Sequence, residues 1–595
     1  MHFHNLKDIM KAKDFGRIAI VSGCAIILLW FSWMKWPDVL VDFGRELYVP
    51  WMISEGKVLY RDALYFAPPL SPYWNAFWFR LFGPGLSIIV WVNIGLLFIL
   101  LSFMYRVMSH AATPFASTLA CLIFLSLFAV GHYTEYGNYN YVTPYSHEAT
   151  HGMLLSWIAI ACQLSHSRSG RYPWLVGAGI SLGLVFLTKP EFLFAAAAAS
   201  GTAIFLWAWR SNADRNTVLR RVSLFTASVL APPLAAYALL GVRLSWSEAG
   251  VGVLGSWWYI FDERIGALPF YRIIVGTSNL RHNLGRMLYT LGLYLTVFAP
   301  AAALAMLIRK RRTAVILAAF GFFMLSAAMW LFRASLPFEE LARPLPVITL
   351  ASGVAILRAV IHRREEKEMS SLVLVAFSFL LQLKMILNAR IAHYGFVLVM
   401  PAVMVMVLTL VDWIPGAIRK KGGQPVVFQA ISLAFLVVIA AVHLSWSATV
   451  YKSKTVPVGE GADAFVADSR GRVVNMAIEW INRNSLPSDS LAVFPEGVTI
   501  NYLSRRFNST PILNLMPTEM IMFGNAHLLR LLQNAPPNYI VLVHKDTTEY
   551  GSQFFGRDYG RSFMEWISRN YHPVYMIGAQ PFVDHRFGIL ITKRN

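Results

Sequence analysis

The stretch Asp42–Phe77, DFGRELYVPWMISEGKVLYRDALYFAPPLSPYWNAF, follows directly on an apolar run long enough to cross a bilayer, and a second such run begins near Leu86. Two spanning helices can be joined by a few residues, so a connector of some 45 residues rich in charges, prolines and aromatic rings needs a reason of its own. Its first part reads as a helix opened by Asp42, Arg45 and Glu46, with Phe43, Leu47 and Trp51 at four-residue spacing on one face. Pro50 breaks or kinks that helix and Gly56 is a plausible stop. An extended segment, KVLYRDALYF, and the pair Pro68-Pro69 follow. The next run, LSPYWNAFWFRLFG, is apolar but too short to span, and six aromatic rings lie between Tyr73 and Phe82. Aromatic side chains favour the headgroup level of a bilayer, so the loop is predicted to carry two interfacial helices, with Asp42 just past the first span.

The rest of the chain supports a membrane setting. Of 595 residues, 56% are hydrophobic and 14% are charged, well under the quarter typical of soluble domains. Apolar runs of spanning length begin near Arg17, Leu86, Pro114, Thr150, Trp174, Phe192, Val222, Leu284, Ala314, Val347, Ser371, Phe396 and Val426, about thirteen in all. With the N-terminus placed in the cytoplasm, SHSRSGR, RSNADRNTVLRR, RKRR, HRREEKE and RKKGG all fall on the cytoplasmic side. That is the distribution the positive-inside rule requires. It also accounts for much of the net charge of +20 without nucleic acid. The basic N-terminus and the long apolar run behind it, with no small-x-small cleavage site, read as an uncleaved anchor. Cys24, Cys121 and Cys162 lie in apolar runs and imply neither a disulfide framework nor a metal site.

After Leu444 the composition changes. VVNMAIEWINRN and RSFMEWISRN have helical spacing, with Val473, Ala477 and Trp480 on one face of the first. SLAVF, NYIVLV, PVYMIG and FGILIT have the length and character of strands. The expected architecture is an α-helical polytopic membrane part over residues 1–450, with residues 37–85 as its first external loop, followed by a soluble α/β unit over 451–595 on the external, periplasmic side. That unit contains no GxGxxG and no phosphate-binding loop, and no catalytic constellation is evident in it. The NST triplet at Asn508 fits a glycosylation acceptor, a pattern common by chance.

The first loop resembles that of the GT-C class of lipid-linked-sugar glycosyltransferases, and within it the glycosyltransferase family 39 group, which includes the aminoarabinose transferases of lipid A and the protein O-mannosyltransferases. The features that carry the likeness run in order: Asp42, Arg45, Gly56, Tyr65-Phe66, Pro68-Pro69 and Tyr73-Trp74. GLVFLTKPE, which contains Lys189, is similar to the family's Thr-Lys motif at an outer helix end, and LARPLPVITL, which contains Arg343, to its Arg-x-x-x-Pro loop. The family's lysine before the double proline is Ala67 here, and its second acidic residue has Glu148 as the nearest counterpart. The resemblance implies a GT-C-like fold and transfer of a sugar from a polyprenyl-phosphate donor, with inversion, in a plasma or bacterial inner membrane.

Such a transfer needs a carboxylate near the acceptor, cationic donors for the leaving phosphate and an apolar groove for the lipid tail. Asp42 is the candidate carboxylate, with Glu148 as a second acid; an N-cap is the alternative reading of Asp42. Lys189, Arg343 and Arg281 are candidate phosphate contacts, and each could instead be a boundary or snorkelling residue, as could Arg286. Arg45, Glu46, Tyr65, His151, His393 and Tyr394 are candidates to line the cavity; Arg45 and Glu46 could equally be a surface ion pair. No cofactor is called for. A divalent cation held by His147, Glu148 and His151 is the one the residues would allow, and two or three ligands in one loop do not establish it. The partners are the lipid-linked donor, membrane lipid, and an acceptor that is lipid, glycan or protein. A transporter or lipid flippase, and a non-catalytic assembly partner, are the competing classes. The absence of an internal repeat and the concentration of charge at one boundary favour surface chemistry over transport.

Overall fold

The computed structural model describes residues 12–133 and 139–595. The basic segment 1–11, read above as the flank of an anchor, lies outside the described residues. Helices occupy all thirteen predicted span positions. Among the described residues nine are long and apolar enough to cross a membrane, and Gly16–Phe31, Pro114–Ala129 and Tyr172–Phe186 are shorter apolar helices. The remaining one, His147–Ser169, has 23 residues but carries polar side chains along its length. The protein is a polytopic α-helical membrane protein with a C-terminal α/β unit.

The helices run between two chemically distinct ends. Pro190–Arg210 has 21 residues, a rise of about 30 Å, so Lys189 and Arg210 lie at opposite boundaries of the bundle. The basic clusters gather at the Arg210 end. There Arg168 pairs with Glu366, Arg210 lies 3.7 Å from the same carboxylate, Arg364 sits over the Trp209 ring and Arg309 donates to the Gly422 carbonyl. Arg215–Gly241 and Arg311–Leu331 expose most of their apolar side chains, as helices facing lipid do.

The first loop folds as Phe43–Ser54 and Leu70–Phe82, with Pro50 inside the first and Gly56 at φ +88° after it. The two helices differ in surroundings. Leu70–Phe82 exposes Tyr73, Trp74, Phe77, Leu81 and Phe82, the ring-rich surface expected of an interfacial helix. Phe43–Ser54 is buried nearly all round because the C-terminal unit covers it. Trp51 stacks on Phe507 with centroids 4.2 Å apart, and Tyr48 Oη accepts from the Asn508 backbone.

The C-terminal unit begins after helix Pro425–Ser453 with a two-stranded antiparallel pair, β1 (Val456–Val458) and β2 (Phe465–Ala467). Its main sheet contains β3 (Leu491–Phe494), β4 (Tyr539–Val543), β5 (Tyr571–Gly578) and β6 (Gly588–Arg594) in the order β3-β4-β6-β5. β3 and β4 are parallel and the other pairings antiparallel. The predicted helices appear as Arg470–Asn484 and Arg561–Asn570. The first buries Val474, Ala477 and Ile481, one position round from the face read off the sequence, with Val473 and Trp480 at its flanks. Asn508 is taken up internally: its amide donates to the Ile512 carbonyl and its oxygen accepts from the Thr510 backbone.

The two parts are joined by close polar and packing contacts. Arg470 pairs with Asp38 at 2.6 Å, Lys454 donates to the Lys35 and Pro37 carbonyls, and Asp463 accepts from the Leu86 backbone. Gly44 lies directly against Thr499: a Cβ there would stand 2.3 Å from Thr499 Oγ1 and 2.5 Å from its backbone nitrogen. Gly44→Ala therefore cannot be absorbed by a rotamer change. It should cost about 1–3 kcal/mol by overpacking and increase proteolysis of the C-terminal unit. Thermal unfolding and limited digestion equal to wild type would contradict this packing.

Candidate active site

At the end of the bundle opposite the basic clusters, a cavity of about 710 Å³ lies between the helices and the C-terminal unit. The helical part contributes Asp42, Arg45, Tyr65, Tyr145, Glu148, Lys189, Glu191, Lys384 and Tyr394. The C-terminal unit contributes Glu496, Asn514, Thr518, Glu519, Lys545, Glu549 and Tyr550. Residues 256–274 add an apolar border of Tyr259, Ile260, Ile265, Phe270 and Ile274, next to the exposed side chains of Trp258, Phe261 and Ile273.

Asp42 stands at the N-cap position of Phe43–Ser54, yet its side chain makes no capping bond. The residue has φ 57° and ψ −51°, and the Phe43 backbone donates to the Val41 carbonyl at 2.6 Å. This is the rare, strained form of the γ-turn, a conformation that surrounding structure must hold in place. It turns the carboxylate into the cavity, where Oδ2 accepts from Tyr394 Oη at 2.9 Å. The Asp42 backbone N–H donates to Glu496 Oε1 at 3.0 Å. Burial, with the nearby Glu496 charge, pushes the Asp42 carboxyl up to about 6, against the opposing pull of Arg45, Lys545 and Tyr394. The N-cap reading fails on geometry.

Lys189 precedes helix Pro190–Arg210 and lines the same cavity. Among the described residues its ammonium has no hydrogen bond or ion pair, and burial pulls it below the usual lysine range despite Glu191 and Glu148. The other cavity cations are committed. Lys384 pairs with Glu191 at 3.1 Å, Lys545 with Glu496 at 3.0 Å, and Arg45 with Glu46 at 3.3 Å. Arg45 also donates to the Tyr145 carbonyl at 3.3 Å and lies over the Phe66 ring. Glu148 is braced by the Tyr65 hydroxyl and by Ser146 Oγ at 2.6 Å.

The structure thus brings together Asp42, Arg45, Tyr65, Glu148, Lys189 and Tyr394 from the sequence-derived set. Glu46 lies behind the wall, accepting from the His147 backbone at 3.0 Å and 2.6 Å from His147 Nδ1. His151 is 2.8 Å from Ser71 Oγ, away from the cavity. His393 accepts from the Gly395 backbone and contacts the Ile274 carbonyl, which shapes the loop that presents Tyr394. Arg343 is buried against Asn283, the Leu387 carbonyl and Glu340. Arg281 is exposed and does not line the cavity. His147, Glu148 and His151 point to separate partners, and among the described residues no three His, Cys, Asp or Glu side chains are grouped to hold a metal ion.

The sequence reading missed the wall from the C-terminal unit, although a signal for it exists. Glu496 follows β3 in VFPEG and Lys545 follows β4 in VLVHKD. Parallel strands that pair side by side place their carboxyl ends together, which is where α/β sheets carry sites. Glu519 is pushed up to about 7 by burial, and Glu549 is raised for the same reason.

No family model and no curated protein sequence matches the chain. Among solved structures it is similar to the archaeal oligosaccharyltransferase AglB from Archaeoglobus fulgidus in complex with an inhibitory peptide and a dolichol-phosphate. The identity is 12% and the TM-score 0.47, over 89% of this chain and 70% of that one. It is similar also to the Archaeoglobus fulgidus oligosaccharyltransferase in complex with Zn and sulfate, at 13% identity and TM-score 0.47 over 88% and 68%. A third similar structure, tethered to an acceptor peptide, has 13% identity and TM-score 0.46 over 89% and 69%. The likeness is one of fold.

Proposed function

We propose that the protein is a membrane glycosyltransferase that moves a sugar, with inversion, from a polyprenyl-phosphate donor to an acceptor at the external face of the membrane. The observation that carries this reading is the pairing, in one cavity, of a strained carboxylate that makes no capping bond, Asp42, with an ammonium that among the described residues has no hydrogen bond or ion pair, Lys189. A hydroxyl acceptor attacks the anomeric carbon while Asp42 takes its proton. The bond from that carbon to the phosphate oxygen breaks, and the phosphate leaves with its electron pair toward Lys189. Tyr394 orients the carboxylate, and Glu148 holds Lys189 by charge. Arg45 and Glu46 steady the wall, and Arg343 has a structural role. The apolar border at residues 256–274 offers the lipid tail a path from the bilayer, and Asn514, Thr518 and Tyr550 offer hydrogen bonds to the acceptor.

The pH dependence follows from these groups. Asp42 works ionised, so the rate should fall as pH drops through about 6. Lys189 works protonated, so the alkaline limb should begin below the usual lysine range. The class itself is tested by incubating purified protein with a panel of radiolabelled polyprenyl-phosphate sugars and following release of free lipid phosphate. Release from one donor with a bell-shaped pH profile is expected. Accumulation of substrate inside sealed vesicles, with no bond cleavage, would overturn the reading in favour of transport.

A further inference from the structure

The C-terminal unit reaches Asp42 through two residues. Glu496 Oε1 accepts the Asp42 backbone N–H at 3.0 Å, and the other Glu496 oxygen lies 3.0 Å from Lys545 Nζ. Glu496 and Lys545 follow adjacent parallel strands, so the sheet fixes their separation. A strained γ-turn persists only where its surroundings over-determine it. Around Asp42 those surroundings are the Glu496 contact, the Tyr394 hydroxyl bond and the packing of Gly44 on Thr499, two of the three supplied by the C-terminal unit.

We propose that Glu496 and Lys545 are positioning residues for Asp42: the docked C-terminal unit holds the carboxylate in its working geometry and sets the pH range in which it acts. The inference rests on the transferase reading above. Neither side chain needs to touch the reacting atoms. Glu496 fixes the backbone, and Lys545 fixes Glu496 and balances its charge. The groups that act electrostatically on Asp42 are Arg45 on its own helix, Tyr394 on the facing loop, and Glu496 and Lys545 on the C-terminal unit; Tyr145, Tyr271, Glu519 and Tyr550 feel its charge in turn. Glu496 opposes ionisation of Asp42 and Lys545 favours it, so removing either charge should displace the acid limb in opposite directions.

The test uses the full chain and follows release of lipid phosphate from the polyprenyl-phosphate sugar that wild type cleaves. Glu496→Gln keeps an oxygen to accept the Asp42 N–H, and should move the acid limb down by about 0.5–1 pH unit. Lys545→Met should move it up by a similar amount and lower the rate at neutral pH. The double variant should return the limb toward wild type while losing rate about tenfold or more, because a misplaced carboxylate is expensive. Variants that move the limb in the same direction, or not at all, while wild type turns over with a limb near pH 6, would overturn this inference and leave the transferase reading intact. A wild type that releases no lipid phosphate from any donor overturns the transferase reading itself. Unfolding midpoints separate simple loss of fold, which lowers the rate without displacing the limb.

Discussion

Asp42→Asn is expected to reduce transfer by about 10²–10⁴-fold, the usual contribution of a positioned base, and to leave a protein at least as stable as wild type. The variant preserves the size of the side chain and the γ-turn and can still accept from Tyr394. What it loses is the capacity to take a proton. The stability effect follows from the direction of the shift. The folded carboxyl is raised to about 6 from an ordinary 3.8, so the folded state retains a proton that the unfolded chain has released between those values. Folding is therefore progressively disfavoured as pH rises through that window, and the cost persists at neutral pH. Because the Asp42 side chain is only partly buried, relief of this cost is about 1–2 kcal/mol rather than the full shift. Asp42→Ala should be equally inactive without that gain, since it also gives up the Tyr394 bond. Turnover, thermal unfolding and size-exclusion profiles measured together decide the matter. Wild-type turnover in either variant would remove the catalytic assignment, and a large drop in unfolding midpoint for Asp42→Asn would make the residue structural.

Lys189→Ala is expected to raise the donor KM by about tenfold to a hundredfold, the loss of one charge-assisted contact to a phosphate, with a smaller effect on the maximal rate. Lys189→Arg should recover part of the affinity. Lys384, Lys545 and Arg45 each hold a carboxylate at 3.0–3.3 Å, whereas among the described residues Lys189 has no ion pair. A buried cation with no ion pair is costly, and the charges of Glu191 and Glu148 offset that cost only in part. Its removal should therefore also stabilise the ligand-free protein, a result that a structural lysine would reverse. Unchanged donor affinity in Lys189→Ala, measured by titration of the polyprenyl-phosphate sugar, would move the phosphate site elsewhere in the cavity.

Much of the fold could be read without coordinates because a bilayer imposes strict rules on sequence. Apolar runs of fixed length marked the thirteen helix positions, and the basic loops marked one end of the bundle. The ring-rich run 70–83 announced a helix at the interface, and short apolar runs of strand length between segments of helical spacing announced the α/β unit after Leu444. Asp42, Arg45, Tyr65, Glu148 and Lys189 were legible as positions that the family resemblance picks out, and Tyr394 as a residue of an outer loop; all six line one cavity. Tertiary structure alone could decide what lies opposite them. Arg343 and His393 look equivalent to Lys189 in the chain, yet contacts with Asn283 and the Ile274 carbonyl, 60 and 119 residues away, consume them. Glu496 and Lys545 are more than 450 residues from Asp42, and their position follows from strand pairing and from how the C-terminal unit seats on Gly44. Periodicity reports which face of an element is greasy, because residues at helical or strand spacing share a face. Which charge meets which across a cavity depends on docking between distant segments, and no local pattern records it.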